Sequence, residues 1–224
     1  SELWEKHPEL FGDTGMDRFP LLVKIIDAKD DLSIQVHPDD AYAKAHENGS
    51  LGKTECWFIL DCKENATLVV GHNAKTKEEL EQMIHEGRWK EFIREIPIKP
   101  GDFIQIDPGT VHATKGKPRQ LHIVQSIDVI TVPAKSADNS VVHIEKKDDA
   151  IQQLIQCPYY TVYRIDVEHR VETWQDKPFA LMSVVEGEGT LNGTHLKKGD
   201  HLILPDGYGK VELQGRMQII ASTI

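Results

Sequence analysis

The chain has 224 residues, with 26 basic and 36 acidic side chains, and its formal net charge is −10 with a pI near 5.5. This balance gives no electrostatic attraction toward nucleic acid or an anionic membrane. No run approaches the ~20 apolar residues of a membrane-spanning helix, and the opening Ser-Glu-Leu-Trp-Glu lacks the regions of a signal peptide. Three cysteines without a C-x-x-C pair favour a reducing, cytoplasmic setting.

Short β-prone stretches, separated by Gly, Asp and Pro, predict a mainly β chain. The frequent turn residues favour antiparallel meanders over βαβ units. In chain order, the predicted strands are 21–26, 32–36, 57–61, 67–70, 103–106, 121–124, 129–132, 160–167, 180–185, 202–204 and 217–221.

Helical signals are few. The stretch 39–47 begins with acidic residues and ends before an Asn-Gly pair, which are start and stop signals. Thr76 followed by Glu79 forms a capping-box pattern, and a second helical stretch is predicted at 89–96. These patterns predict a small helical insertion at about 74–96 in a β scaffold.

A weak internal repeat relates two parts of the chain. Residues 98–112 read IKPGDFIQIDPGTVH, and residues 196–210 read LKKGDHLILPDGYGK, at an offset of 98 residues. Each copy is a turn, a strand and a Gly-containing turn. The repeat predicts two related β-barrel modules, at 1–132 and 151–224, joined by a polar connection at 133–150.

The repeat also predicts which module carries chemistry. His112 of the first copy aligns with Lys210 of the second. A lysine amine is protonated at neutral pH and is a poor metal ligand. Any metal site is therefore expected in the first module.

Four side chains of the first module are candidate metal ligands. Gln35 and His37 are two apart on a predicted strand and would share a face. Glu55 precedes the next strand, and His112 follows a Gly-containing turn. Two imidazoles, one carboxylate and one amide suit Zn²⁺, Fe²⁺ or Mn²⁺ with open coordination positions. Two histidines and one carboxylate also suit a non-haem iron oxygenase, although the glutamine argues against that alternative.

Three ordered motifs at these residues resemble a known family. SIQVHPDD at 33–40, GKTECW at 52–57 and PGTVHA at 108–113 resemble type I mannose-6-phosphate isomerase, in its short bacterial form. The resemblance is clearest from about residue 10 to 132 and continues more weakly into the C-terminal part. It implies two cupin (jelly-roll β-barrel) modules, of which the first binds metal and the second is degenerate.

The resemblance also implies roles for individual residues. Gln35, His37, Glu55 and His112 would bind one Zn²⁺ per chain, and Lys53 and Ser33 would lie near the substrate. The implied reaction interconverts mannose 6-phosphate and fructose 6-phosphate through a cis-enediol. The implied partner is therefore a small sugar phosphate, with no nucleic acid and no membrane. The sequence leaves the oligomeric state open, a monomer included.

One part of the family pattern has no counterpart here. About two dozen expected residues, including a Tyr-Arg motif whose arginine belongs to the family's active site, are absent between Ala113 and Arg119. No catalytic role is transferred to Arg119, and the catalytic residue stays unassigned. Two alternatives therefore stay open, a non-catalytic sugar-binding cupin and another metal-dependent cupin enzyme such as an iron dioxygenase.

Overall fold

The computed structural model describes residues 2–27, 34–113, 122–136 and 140–224. Within these ranges the chain divides into two compact units. The first unit is Ile25–Ile144, and the second unit is Glu145–Ile224 together with Ser1–Lys24. None of the helices in the described ranges is long and apolar enough to cross a membrane.

The second unit is built on one seven-stranded antiparallel sheet. The long strands β10, Phe179–Leu191, and β13, Gly209–Thr223, pair along most of their length, and each also pairs with two shorter strands. Alternate residues of these strands bury a core of Val, Leu, Ile and Met side chains. Its strands are β7 Ala150–Gln156, β8 Thr161–Val167, β9 Arg170–Gln175, β10 Phe179–Leu191, β11 Thr194–Lys197, β12 His201–Pro205 and β13 Gly209–Thr223.

The N-terminal segment packs with the second unit, whereas the sequence analysis grouped it with the first module. It contains helix α1, Glu2–Lys6, and a 3₁₀ turn, Pro8–Leu10. The ring of Phe179 lies 5.6 Å from that of Phe11 and 5.2 Å from that of Phe19, between centroids. Burial of these rings ties the segment to β10.

The first unit contains two three-stranded antiparallel sheets, in the orders β1-β4-β6 and β3-β2-β5. The helices pack a separate apolar cluster that includes Leu80, Phe92 and Ile127. Its strands are β1 Glu55–Phe58, β2 Thr67–His72, β3 Ile93–Pro97, β4 Asp102–Ile106, β5 His112–Ala113 and β6 Val141–His143. Its helices are α2 Asp40–His46, α3 Lys77–His85, α4 Trp89–Phe92 and α5 Ile123–Val129.

The helix-start signals identify real caps. The Asp39 carboxylate accepts the Tyr42 amide hydrogen at 2.8 Å, so α2 begins one residue after the expected position. Thr76 caps α3 by accepting the amide hydrogen of Glu79 at 3.2 Å. Strong local hydrogen-bonding signals thus located these two helices.

The predicted strands at 121–124 and 129–132 are wrong where the structure describes them. Residues 123–129 form α5 instead. Ile123, Ile127 and Ile130 recur at helical spacing, and the last two are buried in the helical cluster. This periodicity of three to four residues outweighs the β-propensity of single Ile and Val residues.

Two further predictions fail because tertiary pairing decides the outcome. The predicted strand at 21–26 is irregular, and Leu22 is 71% exposed. The predicted helix at 89–96 ends at Phe92, and Ile93–Pro97 instead pairs with β2, with Ile96 opposite Leu68. The strand predicted at 32–36 lies partly outside the described residues, and Gln35 forms a single bridge with His112.

Candidate metal centre

Three of the four candidate ligands lie together in the first unit. Nitrogen and oxygen atoms of His37, Glu55 and His112 all lie within 4.8 Å of one another. Glu55 Oε2 is 3.2 Å from His112 Nε2 and 3.7 Å from His37 Nε2. Among the described residues, this is the one group of three or more His, Cys, Asp or Glu side chains with such spacing.

Backbone pairing brings distant parts of the sequence to this cluster. The amide and carbonyl groups of Gln35 and His112 exchange two hydrogen bonds, at 3.0 and 2.9 Å. The amide of Gly109 donates to the carbonyl of His37 at 2.9 Å. The turn before β5 and the segment before α2 are therefore held side by side, with Gln35 next to His112.

The orientation of His112 is fixed by its own turn. Its side chain is fully buried, and Nδ1 lies 2.8 Å from the carbonyl oxygen of Thr110. A carbonyl only accepts, so Nδ1 carries a hydrogen, and Nε2 is the ring nitrogen that lies toward Glu55. Metal-binding histidines typically use one ring nitrogen for such a hydrogen bond and the other nitrogen for the metal.

Two buried polar atoms support a cation in the cluster. Glu55 Oε2 and His112 Nε2 are shielded from solvent and make no hydrogen bond of acceptable geometry within the described residues, although they are 3.2 Å apart. Buried polar atoms without partners are costly in free energy. A divalent cation would satisfy both atoms at once, so the donor set fits a metal ion.

The electrostatics keep the cluster ready to bind a cation. Burial, with charge from Lys53 and His112, lowers the pKa of His37 to about 4. Burial alone would raise the pKa of Glu55, but the neighbouring His112 and Lys53 side chains outweigh it and bring the pKa to about 2. At neutral pH, His37 is thus an uncharged imidazole that can offer a lone pair to a metal ion, and Glu55 is an ionised carboxylate.

Lys53 lies directly beside the cluster. Its ammonium forms an ion pair with Glu55 and lies 3.3 Å from His37 Nε2. The side chain remains 42% exposed. Lys53 can therefore contact both the cluster and a molecule that enters from solvent.

Other expected positions are only partly described. Ser33 and residues 114–121, which include Arg119, lie outside the described residues. Thr110, whose carbonyl orients His112, was not among the predicted site residues. Its place two residues before the histidine in the PGTVH motif is the signal that could have revealed it.

The chain matches two family models. One, described as phosphomannose isomerase type I, catalytic domain, matches residues 1–60. The other, described as mannose-6-phosphate isomerase, cupin domain, matches residues 150–224. These matches and the fold define a cupin of the isomerase class.

Individual relatives cover nearly the whole chain. It is 45% identical over 253 residues to the mannose-6-phosphate isomerase ManA of Bacillus subtilis strain 168, which covers 99% of this chain and 80% of that protein. It is 40% identical to a mannose-6-phosphate isomerase of Streptococcus mutans, over 99% of this chain and 79% of that one. The chain belongs to the type I mannose-6-phosphate isomerase family.

Solved structures agree with this assignment. The crystal structure of a Bacillus subtilis mannose 6-phosphate isomerase matches with a TM-score of 0.88 at 39% identity, over 100% of this chain and 81% of that one. A putative mannosephosphate isomerase from Archaeoglobus fulgidus shares the fold, with a TM-score of 0.80 at 20% identity, over 99% and 78% of the two chains. The predicted family, mainly β cupin fold and isomerase activity are confirmed, and the two alternatives gain no support.

The alignment with ManA contains positions at which this chain has no residue. The match to ManA extends over 253 residues, whereas this chain has 224. At least 29 aligned positions, the difference between these lengths, therefore have no residue in this chain. This number is compatible with the roughly two dozen family residues that the sequence analysis finds absent after Ala113.

Proposed function

We propose that this chain interconverts mannose 6-phosphate and fructose 6-phosphate in mannose metabolism, with one Zn²⁺ bound by Gln35, His37, Glu55 and His112. The observation that carries the proposal is the His37–Glu55–His112 cluster, whose ligand atoms lie within 4.8 Å of one another in a chain of this family. The half-buried position of Gln35 beside His112 supports its inclusion as the fourth ligand.

The donor set supports zinc. Two imidazoles and one carboxylate are ligands that Zn²⁺ accepts in catalytic sites, where a coordination position stays open. When bound, such an ion polarises a carbonyl or hydroxyl oxygen of the sugar. The Thr110 carbonyl fixes the His112 tautomer that presents Nε2 to the ion.

Lys53 supplies the positive charge that the reaction requires from the protein. Moving a proton between C1 and C2 of the sugar leaves negative charge on oxygen, and a cation placed nearby stabilises it. Lys53 is ion-paired with Glu55 at the cluster and is partly exposed to solvent. We assign substrate binding to Lys53 and to Ser33, at the reacting oxygens or at the phosphate.

A positive charge near the substrate must offset the negative net charge of the chain. A net charge of −10 does not attract an anionic sugar phosphate at long range. Lys53 would offset this repulsion within a few ångströms of the substrate. Association should therefore depend on this side chain more than on the overall field.

A coupled assay tests the proposal. Mannose 6-phosphate is supplied, and formation of fructose 6-phosphate is followed before chelation, after chelation and after Zn²⁺ is restored. We expect activity to vanish with the chelator and to return with zinc. Absence of turnover under every metal condition, in a protein whose intact mass has been verified, would refute the proposal.

The cysteines support a reducing, cytoplasmic location. Cys62 and Cys157 are free thiols in the structure. Free cysteines are typical of reducing compartments. Thiol titration of the purified protein should therefore detect at least these two thiols without a reductant, after unfolding.

A further inference from the structure

A side-chain bond outside the ligand cluster joins two of the ligand-bearing segments. Asp40 Oδ1 accepts the amide hydrogen of Gly52 at 2.8 Å. Asp40 lies three residues after His37, and Gly52 lies three residues before Glu55. A backbone bond from Lys53 to the carbonyl of Pro38, at 3.0 Å, runs beside it.

The two segments approach too closely at this point for any side chain at position 52. A Cβ atom on Gly52 would lie 2.3 Å from the carbonyl carbon of Asp39 and 2.4 Å from the amide nitrogen of Asp40. These neighbours are backbone atoms, so they cannot move aside as a flexible side chain can. The absence of a side chain at Gly52 allows the contact, and Asp40 holds it.

We infer that Asp40 is a positioning residue, which sets Lys53 and Glu55 at the correct distance from His37. This inference rests on the proposed function of the cluster. Asp40 lies outside the His37–Glu55–His112 group and acts through the backbone that carries Lys53. Its partner Gly52 provides the close approach that this placement requires.

The consequence follows from the dimensions of the cluster. The carboxylate oxygen Oε2 of Glu55 is 3.7 Å from His37 Nε2. Metal–ligand distances are fixed within about 0.2 Å. Loss of the Asp40–Gly52 bond leaves the backbone bond from Lys53 to Pro38 to hold the segment before β1 against the segment before α2, so the two can shift relative to each other. Loss of a partner that is hydrogen-bonded directly to a ligand changes metal affinity or activity by about tenfold to a hundredfold, and we expect the lower end of this range for Asp40, which acts through the backbone.

The experiment compares three substitutions at Asp40 with one at its neighbour. Asp40→Ala removes the acceptor, Asp40→Asn retains an oxygen in the same place, and Asp40→Glu retains the charge but moves it by one methylene. Asp39→Ala is the control, since it removes the α2 cap to Tyr42 and leaves the Gly52 bond. The readouts are the rate of Zn²⁺ loss to a chromogenic chelator, and kcat and KM for mannose 6-phosphate.

We expect Asp40→Ala and Asp40→Glu to lose Zn²⁺ at least about tenfold faster than the unsubstituted protein. Asp40→Asn should stay within about threefold, and Asp39→Ala should retain zinc even where its melting temperature falls. If Asp40→Ala folds poorly, Asp40→Glu provides the same comparison. Unchanged zinc loss in both variants, or equal acceleration in Asp39→Ala, would overturn the positioning role.

A separate result identifies failure of the proposed function itself. An unsubstituted protein that retains zinc but has no isomerase activity would refute the function, while the zinc-loss comparison would still test Asp40. An active protein with identical zinc loss in every variant would refute the role of Asp40 alone.

Discussion

The two copies of the repeat fold their shared turn in the same way. In the first, the Asp102 carboxylate accepts the Lys99 amide hydrogen at 2.8 Å, and in the second Asp200 accepts that of Lys197 at 2.8 Å. The glycines before the two aspartates have φ of +88° and +93°, in the region that favours glycine. The Lys-x-Gly-Asp pattern is therefore a turn requirement, independent of metal binding.

The copies differ where the strands meet the candidate centre. In the first copy, Glu55 is the strand partner of Ile106. The counterpart of Ile106, 98 residues later, is Leu204, and its strand partner is Ala180. His112 is fully buried, whereas the side chain of Lys210 is 58% exposed and forms an ion pair with Glu172 at 2.8 Å. The second copy thus has neither the carboxylate nor the imidazole at the equivalent places.

This comparison separates what maintains the fold from what performs chemistry. The turn residues recur because each barrel needs the same backbone geometry. The candidate ligands occur once because a module without a metal gains nothing from buried polar side chains, which cost free energy without a partner. Sequence similarity between the copies therefore indicates architecture, and their differences indicate the site.

The largest expected effect follows from loss of a ligand in the first copy. His112→Ala or Glu55→Ala should remove stable zinc retention and lower kcat/KM by more than about a hundredfold. Metal content after gel filtration and the coupled assay measure the two effects. Zinc retained at one ion per chain in either variant would contradict the assigned cluster.

A smaller effect tests the shared turn. Asp102→Ala should lower the free energy of unfolding by about 2–3 kcal/mol, because buried Asp102 also pairs with His143 at 2.8 Å. Asp200→Ala removes the equivalent amide bond from a less buried residue and should cost about 1 kcal/mol. Urea unfolding measures both. Equal costs would mean that the His143 contact adds nothing in the first copy.

The two units should also differ in their response to acid. Burial lowers the pKa of His72 in the first unit below its ordinary 6.5, with smaller effects from Arg94 and Lys75, although a bond to the Thr131 carbonyl opposes this. The unfolded chain therefore binds this proton more readily. The stability contributed by neutral His72 is complete above pH 6.5 and is lost as the pH falls below that value.

The second unit has a group that responds at lower pH. Backbone hydrogen bonds from His169, Glu168 and Arg170 lower the pKa of Asp149 from 3.8 to about 2 despite some desolvation. The stability contributed by this carboxylate is present above pH 3.8 and is lost as the pH falls toward 2. NMR spectra recorded from pH 7 to 2 should show first-unit signals change first, and His72→Gln should reduce that early change. Simultaneous loss of both units would contradict the comparison.

The smallest effect is expected at the second-copy counterpart of His112. Lys210→Ala should leave turnover unchanged and alter the free energy of unfolding by no more than about 0.5 kcal/mol, since its ion pair with Glu172 is largely exposed. The coupled assay and urea unfolding provide the check. A large loss of turnover would mean that the second copy also serves the reaction.

The sequence by itself determined the local features with strong chemical signals. Thr76 was identified as a helix cap, and the acidic start at residue 39 indicated the beginning of α2, because a side-chain acceptor near free amides is a local property. The repeat could be recognised from its glycines, because a backbone position with positive φ favours glycine. The ligand types were readable because few side chains bind metal.

Only the tertiary structure decided which residues meet. Residues 21–26 have high β-propensity but are irregular, and Ile93–Pro97 becomes a strand only through its pairing with β2. The bond between Asp40 and Gly52 likewise spans 12 residues and has no local signal. Strand pairing and the assembly of His37, Glu55 and His112 depend on contacts between residues that are distant in the sequence. These contacts contribute to stability only once the chain has folded, so no local sequence pattern indicates them.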